Sequence, residues 1–335
     1  MPGSRNLEFG NFHCRFGDSK KLIDLADEIV IPAFQNRKNV RSYGKTKHLF
    51  IDTEILFLEP GDPPTIGIGG RYVKDTTLER EQILDLTTGK LKSDHRSMES
   101  SPSSLFVLIL NTHRLIFYKE TKQAPGMPSF AMTAEKIINL QRKTYLGKLY
   151  KNKKQLKELG VKRKHELALL FPPAKIEIVP LGSEESFSKF LGEFKKITSV
   201  EVRMVNTNDE IDPEALFEQL ERQKDLLGSK RSRLIHSNAQ GLEMSEAEAQ
   251  FAPIAQRGNT EVKISGTDLK GDALKGNNEE FRLRIPIVKI SQDVKAAAKV
   301  MFGKYQEVVD SGLIAVPEVA AKVKNILKLI ANTYK

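Results

Sequence analysis

The sequence predicts an α+β protein of two domains, and three observations carry that expectation. Its 335 residues exceed the ~100–200 of a usual single domain. Hairpin-like strand patterns dominate the first half, whereas strands and helices alternate in the second. Between them Phe171-Pro172-Pro173 breaks both periodicities. The expected boundaries are 1–172 and 173–335.

In the first domain, residues 7–16 (LEFGNFHCRF) alternate as a strand does, and Asp18-Ser19 opens a helix over 18–30 that Pro32 ends. Residues 36–48 (NRKNVRSYGKTKH) hold five basic residues and no acid, which reads as a charged loop. Strands at 48–58 and 65–73 flank the turn Pro60-Gly61-Asp62-Pro63-Pro64. A short helix is expected at 76–86, then a Ser-rich loop at 87–104 and a hairpin of 105–110 with 114–119. A basic helix starts near Thr133, with breaks at Gly147 and Gly160.

In the second domain, strands at 175–179, 199–205 and 231–236 alternate with helices at 183–196 and 212–227. Asp212 caps the latter helix and Pro213 takes its first position. That β-α-β-α-β order suggests a ferredoxin-like or split βαβ element. Strands at 261–265 and 281–288, separated by a Gly-rich turn, complete the sheet. Two C-terminal helices, 291–310 and 317–333, close the chain. The last carries an apolar stripe, Val319, Ala320, Val323, Ile326, Leu327 and Ile330, which needs a partner surface and points to a homodimer.

Composition narrows the class. Hydrophobic residues make up 39% and charged residues 29%, the balance of a folded, water-soluble chain. The longest apolar run, Leu105–Leu110, falls far short of the ~20 residues that span a bilayer. No apolar segment follows Met1-Pro2-Gly3-Ser4-Arg5-Asn6, so a cytoplasmic protein is expected. The single cysteine, Cys14, excludes an internal disulfide and a Cys-based zinc site, and reads as an inert strand residue.

Charge is the strongest functional signal. The net charge is +10 and the pI about 9.4. Residues 142–166 carry ten cations: Arg142, Lys143, Lys148, Lys151, Lys153, Lys154, Lys157, Lys162, Arg163 and Lys164. Only Glu158 and Glu166 oppose them, so ten minus two leaves +8. Such a surface tracks a phosphate backbone and releases counterions, and Tyr145 and Tyr150 offer rings for base stacking. Arg37, Lys38 and Arg41 in the 36–48 loop extend the set. The expected partner is nucleic acid, DNA before RNA, bound with little sequence preference.

Catalytic signals are weak. Ile66-Gly67-Ile68-Gly69-Gly70 continues as strand and does not open a helix, so it reads as a glycine-softened hairpin. Glu261-Val262-Lys263 has the form of a nuclease magnesium site if Asp209 or Asp212 joined it, which makes a metal-dependent nuclease the alternative. A scaffold for an acidic protein is the third reading. The histidines, His13, His48, His95, His113, His165 and His236, show no ligand spacing. No catalytic residue, metal or cofactor is therefore assigned.

One layout has a familiar counterpart. Ile264-Ser265-Gly266-Thr267-Asp268-Leu269-Lys270-Gly271-Asp272-Ala273-Leu274 leads through a polar gap to Phe281-Arg282-Leu283-Arg284-Ile285-Pro286-Ile287. Met301-Phe302-Gly303-Lys304-Tyr305 follows, and Ser104-Leu105-Phe106-Val107 precedes. With the order of elements between, the chain resembles the RexA exclusion proteins of phage lambda, although it is longer, chiefly in the basic window. The resemblance implies a cytosolic DNA-binding sensor in abortive phage defence, a homodimer, and signalling to a membrane-protein partner. It supplies no catalytic residue.

Overall fold

The first strand sets the architecture, because residues 7–14 are buried on both faces. In the computed structural model, which describes residues 5–205, 222–224, 226–229 and 231–335, β1 (Arg5–Phe16) lies inside a large antiparallel sheet. On one edge β1 pairs with β8 (Arg114–Lys119) and then β2 (Lys20–Lys21). On the other it pairs with β14 (Arg284–Ile287) and β9 (Ala174–Pro180). Beyond β8 come β7 (Ser103–Ile109), β5 (Thr65–Asp85), β4 (Thr46–Glu59) and β3 (Val40–Tyr43).

Helices cover both faces of this sheet, which explains the unbroken run Leu105–Leu110: alternate side chains enter opposite cores. Phe106 and Leu108 join Phe12, Phe50, Tyr72 and Phe117 beneath the helical run 22–35, which ends in α1 (Ile31–Gln35), together with α2 (Met127–Lys151) and α8 (Ala321–Tyr334). Leu105, Val107 and Ile109 join Leu7, Phe9 and Ile116 beneath α7 (Val294–Asp310). Phe130 of α2 centres the first core. Its ring lies 5.0–6.3 Å from those of Phe12, Phe34, Phe50, Tyr72, Phe106 and Phe117.

A smaller antiparallel sheet runs β11 (Arg233–Ser237), β10 (Phe194–Met204), β12 (Thr260–Asp268), β13 (Ala273–Asn277). Its apolar face, with Val200, Val202, Val262 and Ile264, packs on α5 (Glu184–Leu191) and α6 (Met244–Ala255) through Phe187, Phe190 and Phe251. The opposite face carries polar residues in register, among them Glu201 beside Lys263 and Arg203 between Arg233 and Glu261.

The α+β class holds, and the division of the chain differs from expectation. β9 follows Pro173 directly yet belongs to the large sheet, as do β14 and the cores under α7 and α8. The small sheet and its helices, residues 183–281, are an insertion. Its ends meet where Leu283 N–H donates to Leu181 O at 2.8 Å. No split βαβ forms among the described residues, because β9 pairs with β1 and every pairing in the small sheet is antiparallel. The helix expected at 212–227 falls mostly outside the described residues. α6 and β13 stand where no helix and only a turn were expected.

Residues 76–100, expected as a helix and a loop, instead form a two-stranded ribbon projecting from β5 into β6 (Lys90–Ser100). Gly89 adopts φ +65°, the left-handed geometry that glycine suits in a hairpin loop. The Asp85 carboxylate accepts the Thr87 and Thr88 N–H groups, and Arg80–Asp94 and Lys92–Asp85 ion pairs tie the strands. Gly70 lies inside β5, where a Cβ would sit 2.6 Å from Thr53 Cγ2. The glycine run therefore serves close packing and cradles no dinucleotide.

Candidate functional site

The basic window is a helix end with two short helices after it. Pro128 takes the first turn of α2, where its missing N–H costs nothing. The helix continues through Gly147 to Lys151, without the expected break. Asn152 is extended and accepts the Gln155 N–H, so it ends α2 and caps α3 (Lys153–Glu158). Gly160, at φ +68°, turns the chain toward α4 (Lys164–Leu170). Lys148 and Lys151 occupy the last turn of α2, where cations complement the helix dipole.

Nine of the ten window cations are exposed: Lys143, Lys148, Lys151, Lys153, Lys154, Lys157, Lys162, Arg163 and Lys164. None of the nine makes an ion pair among the described residues. Glu166, one of the two carboxylates within the 142–166 window, accepts the Lys162 and Arg163 backbone N–H groups at 2.9 and 3.1 Å. Those bonds hold its carboxyl below the usual range. Tyr150 is exposed, whereas Tyr145 packs edge-on against Phe171 and is not presented for stacking.

Two expected contact residues are committed elsewhere. Arg142 is buried, and its guanidinium donates to Phe171 O and to Ala168 O. It caps the end of α4 and cannot reach a phosphate. Arg41 donates to Thr133 Oγ1 at 2.9 Å and Ser129 Oγ at 3.1 Å, hydroxyls that also bond the Tyr72 phenol. This places the loop holding Arg37, Lys38 and Arg41 at the start of α2. Lys148 lies nineteen positions past Ser129, ~28 Å along the helix, so the two basic segments do not form one continuous patch. Arg37 faces Asp52 at 3.5 Å, and Lys38 is exposed.

Glu261 of the nuclease signal is committed to an ion pair. Glu261 binds Arg203 with both oxygens, at 2.9 and 3.0 Å, and Asp209 and Asp212 lie outside the described residues. Among the described residues no group of three His, Cys, Asp or Glu side chains could hold a metal. Cys14 is buried, and burial pushes its thiol well up, as an inert strand residue requires.

A feature that composition did not reveal is a cleft of about 520 Å³ where the two sheets face each other. His13 and Arg15 reach it from β1, Glu135 from α2, and Lys175, Ile176 and Glu177 from β9. Arg203 and Met204 come from β10, with Arg231 and Arg233 at the start of β11. Lys175 pairs with Glu135 at 3.2 Å, Arg203 with Glu177 at 3.4 Å as well as Glu261, and Arg233 with Glu201 at 3.1 Å. Five cations thus meet four carboxylates, and Arg15 and Arg231 have no carboxylate partner among the described residues. His13 Nε2 lies 2.8 Å from Gly258 O. A carbonyl only accepts, so Nε2 carries the proton and Nδ1 keeps a lone pair, buried and without a partner. Burial, aided by Arg114, Arg15 and Arg203 and opposed by the Gly258 bond, lowers His13 to about 4. The legible trace of this cleft was strand alternation, which sets Arg203 on the polar face of β10.

Residues 26–301 match a domain of unknown function, DUF4747. The chain belongs to the DUF4747 family. The match takes in the basic end of α2, the ribbon and every wall of the cleft except β1, while α8 lies beyond it. No curated protein matches the chain. Among the described residues of this DUF4747 protein no helix is long and apolar enough to cross a membrane.

Proposed function

We propose that this protein binds nucleic acid through the end of α2, α3 and the start of α4, by phosphate contacts and with little sequence preference. The observation that carries the reading is the set of nine exposed cations with no ion pair among the described residues. Surface lysines usually alternate with acids or pair with them; here the carboxylates are two, and Glu166 is occupied by backbone N–H groups. The layout resemblance to RexA supports DNA as the polymer. It also supports a cytoplasmic sensing role in phage exclusion, with a second copy and a membrane protein as partners.

A salt-titrated anisotropy assay on unrelated duplexes, with and without magnesium, tests this. Neutralising about six phosphates gives a log–log slope near −5. K151E/K153E/K154E should weaken binding at least ~10-fold on every sequence and flatten the slope by about three, with the melting temperature unchanged. No binding at ~50 mM salt, or equal binding by the variant, refutes the proposal. Magnesium-dependent cleavage would replace it with the nuclease.

A further inference from the structure

We infer that the cleft between the two sheets binds a phosphate monoester, with arginines from both walls on the phosphate and the organic part against Ile176 and Met204. The inference stands on the cleft alone and does not require nucleic-acid binding at α2–α4.

Size comes first. About 520 Å³ lies within the ~300–1,000 Å³ typical of small-molecule sites, and far exceeds what a bare anion fills. Charge comes second. Arg15 and Lys175 of the large sheet line the cleft together with Arg203 and Arg233 of the small one and Arg231 just before β11. A guanidinium fork matches phosphate oxygens in bidentate fashion. Arg203 is held rigidly by Glu261 and Glu177, so its side chain is oriented before any ligand arrives. Arg15 is half-buried and has no carboxylate partner among the described residues, and a cation withdrawn from water needs a counter-charge. A ligand phosphate supplies it.

The remaining lining fits an ester better than inorganic phosphate. Ile176 and Met204 are the apolar, buried residues of the lining. His13 also lines the cleft, and its Nδ1 is buried without a hydrogen-bond partner. Two sources share this chemistry: a free nucleotide, or the 5′-phosphate at the end of a strand.

Calorimetry on the full chain tests the inference. The probes are adenosine 5′-monophosphate, adenosine, inorganic phosphate, and oligothymidylate with a 5′-phosphate or a 5′-hydroxyl. Adenosine monophosphate, the 5′-phosphorylated strand, or both should bind, and adenosine should not. Arg15→Gln and Arg231→Gln should each weaken mononucleotide binding, or the strand's preference for its 5′-phosphate, ~10-fold or more, while K151E/K153E/K154E should leave adenosine monophosphate binding and that preference unchanged. That last comparison separates the cleft from the helical surface. Preference for the phosphorylated strand over its 5′-hydroxyl form assigns the strand end, and binding of the mononucleotide alone assigns a small ligand. The inference is overturned if adenosine monophosphate does not bind and the strand shows no preference for its 5′-phosphate, if adenosine binds as tightly as its monophosphate, or if the arginine variants behave like wild type. Should Arg15→Gln fail to fold, Arg231→Gln decides, because Arg231 is exposed and holds no ion pair among the described residues.

Discussion

Two residues show how environment overrides residue type. Arg142 sits among nine exposed cations in sequence, yet it bonds two backbone carbonyls in the interior, and burial lowers its affinity for protons. Arg142→Ala should leave those acceptors unsatisfied and cost ~1–3 kcal/mol, while the salt slope of nucleic-acid binding stays that of wild type. Urea denaturation and the anisotropy titration check the two halves. Histidine titration gives the second residue-scale prediction. His13 and His113 are fully buried, and burial is the main cause that lowers them to about 4 and about 3. His48 is lowered to about 4, again chiefly by burial, with Arg41 and Lys74 adding to it. In the unfolded chain each would protonate near 6.5. Below that pH the unfolded state binds more protons, so stability is flat above ~6.5 and falls as pH drops toward ~4. His13 and His113 should each contribute on the order of 3 kcal/mol to that loss. A urea midpoint equal at pH 7 and pH 5 would contradict this.

Among elements, the ribbon and α2 contrast most. Residues 77–99 of the ribbon belong to none of the three cores, and Leu86, Leu91 and Met98 are 88%, 67% and 62% exposed. Replacing 79–97 by a two-residue Asn-Gly turn should therefore shift the melting temperature by less than ~4 °C, roughly 1 kcal/mol or less. A collapse of the fold would show that the ribbon supports the sheet. α2 is the opposite case. Phe130→Ala removes a ring packed against six others and should cost ~3–5 kcal/mol, read as a lower urea midpoint with an unchanged slope.

At the scale of the molecule, the small sheet is an insertion whose ends are hydrogen-bonded neighbours, Leu181 and Leu283. Such an arrangement allows the host to fold without the insert. Replacing 184–280 by a short Gly-Ser linker should leave a body that melts cooperatively. Its midpoint should be lower, because Asn11 loses Asn259 and His13 loses Gly258 O. The excised protein should keep nucleic-acid binding at α2–α4 and lose phosphate binding, since Arg203, Arg231 and Arg233 go with the insert. Non-cooperative melting would show that the two sheets fold as one unit.

Local pattern determined the α+β class, the hairpin of 105–110 with 114–119, the strand at 175–179 and the two C-terminal helices, because each rests on period, turn chemistry or capping within about fifteen residues. It also located the basic surface, since exposed charge needs no partner to be recognised. Tertiary structure alone decided the rest. β9 reads as the opening of a second domain, but its hydrogen bonds go to β1, more than 150 positions earlier, and sequence periodicity carries no record of such pairing. The stripe of α8 that pointed to a second copy is covered by the chain's own first core, through Val323, Leu327 and Ile330. The cleft is the extreme case. Its cations are scattered from Arg15 to Arg233, each unremarkable in its own segment, and only the packing of two sheets gathers them.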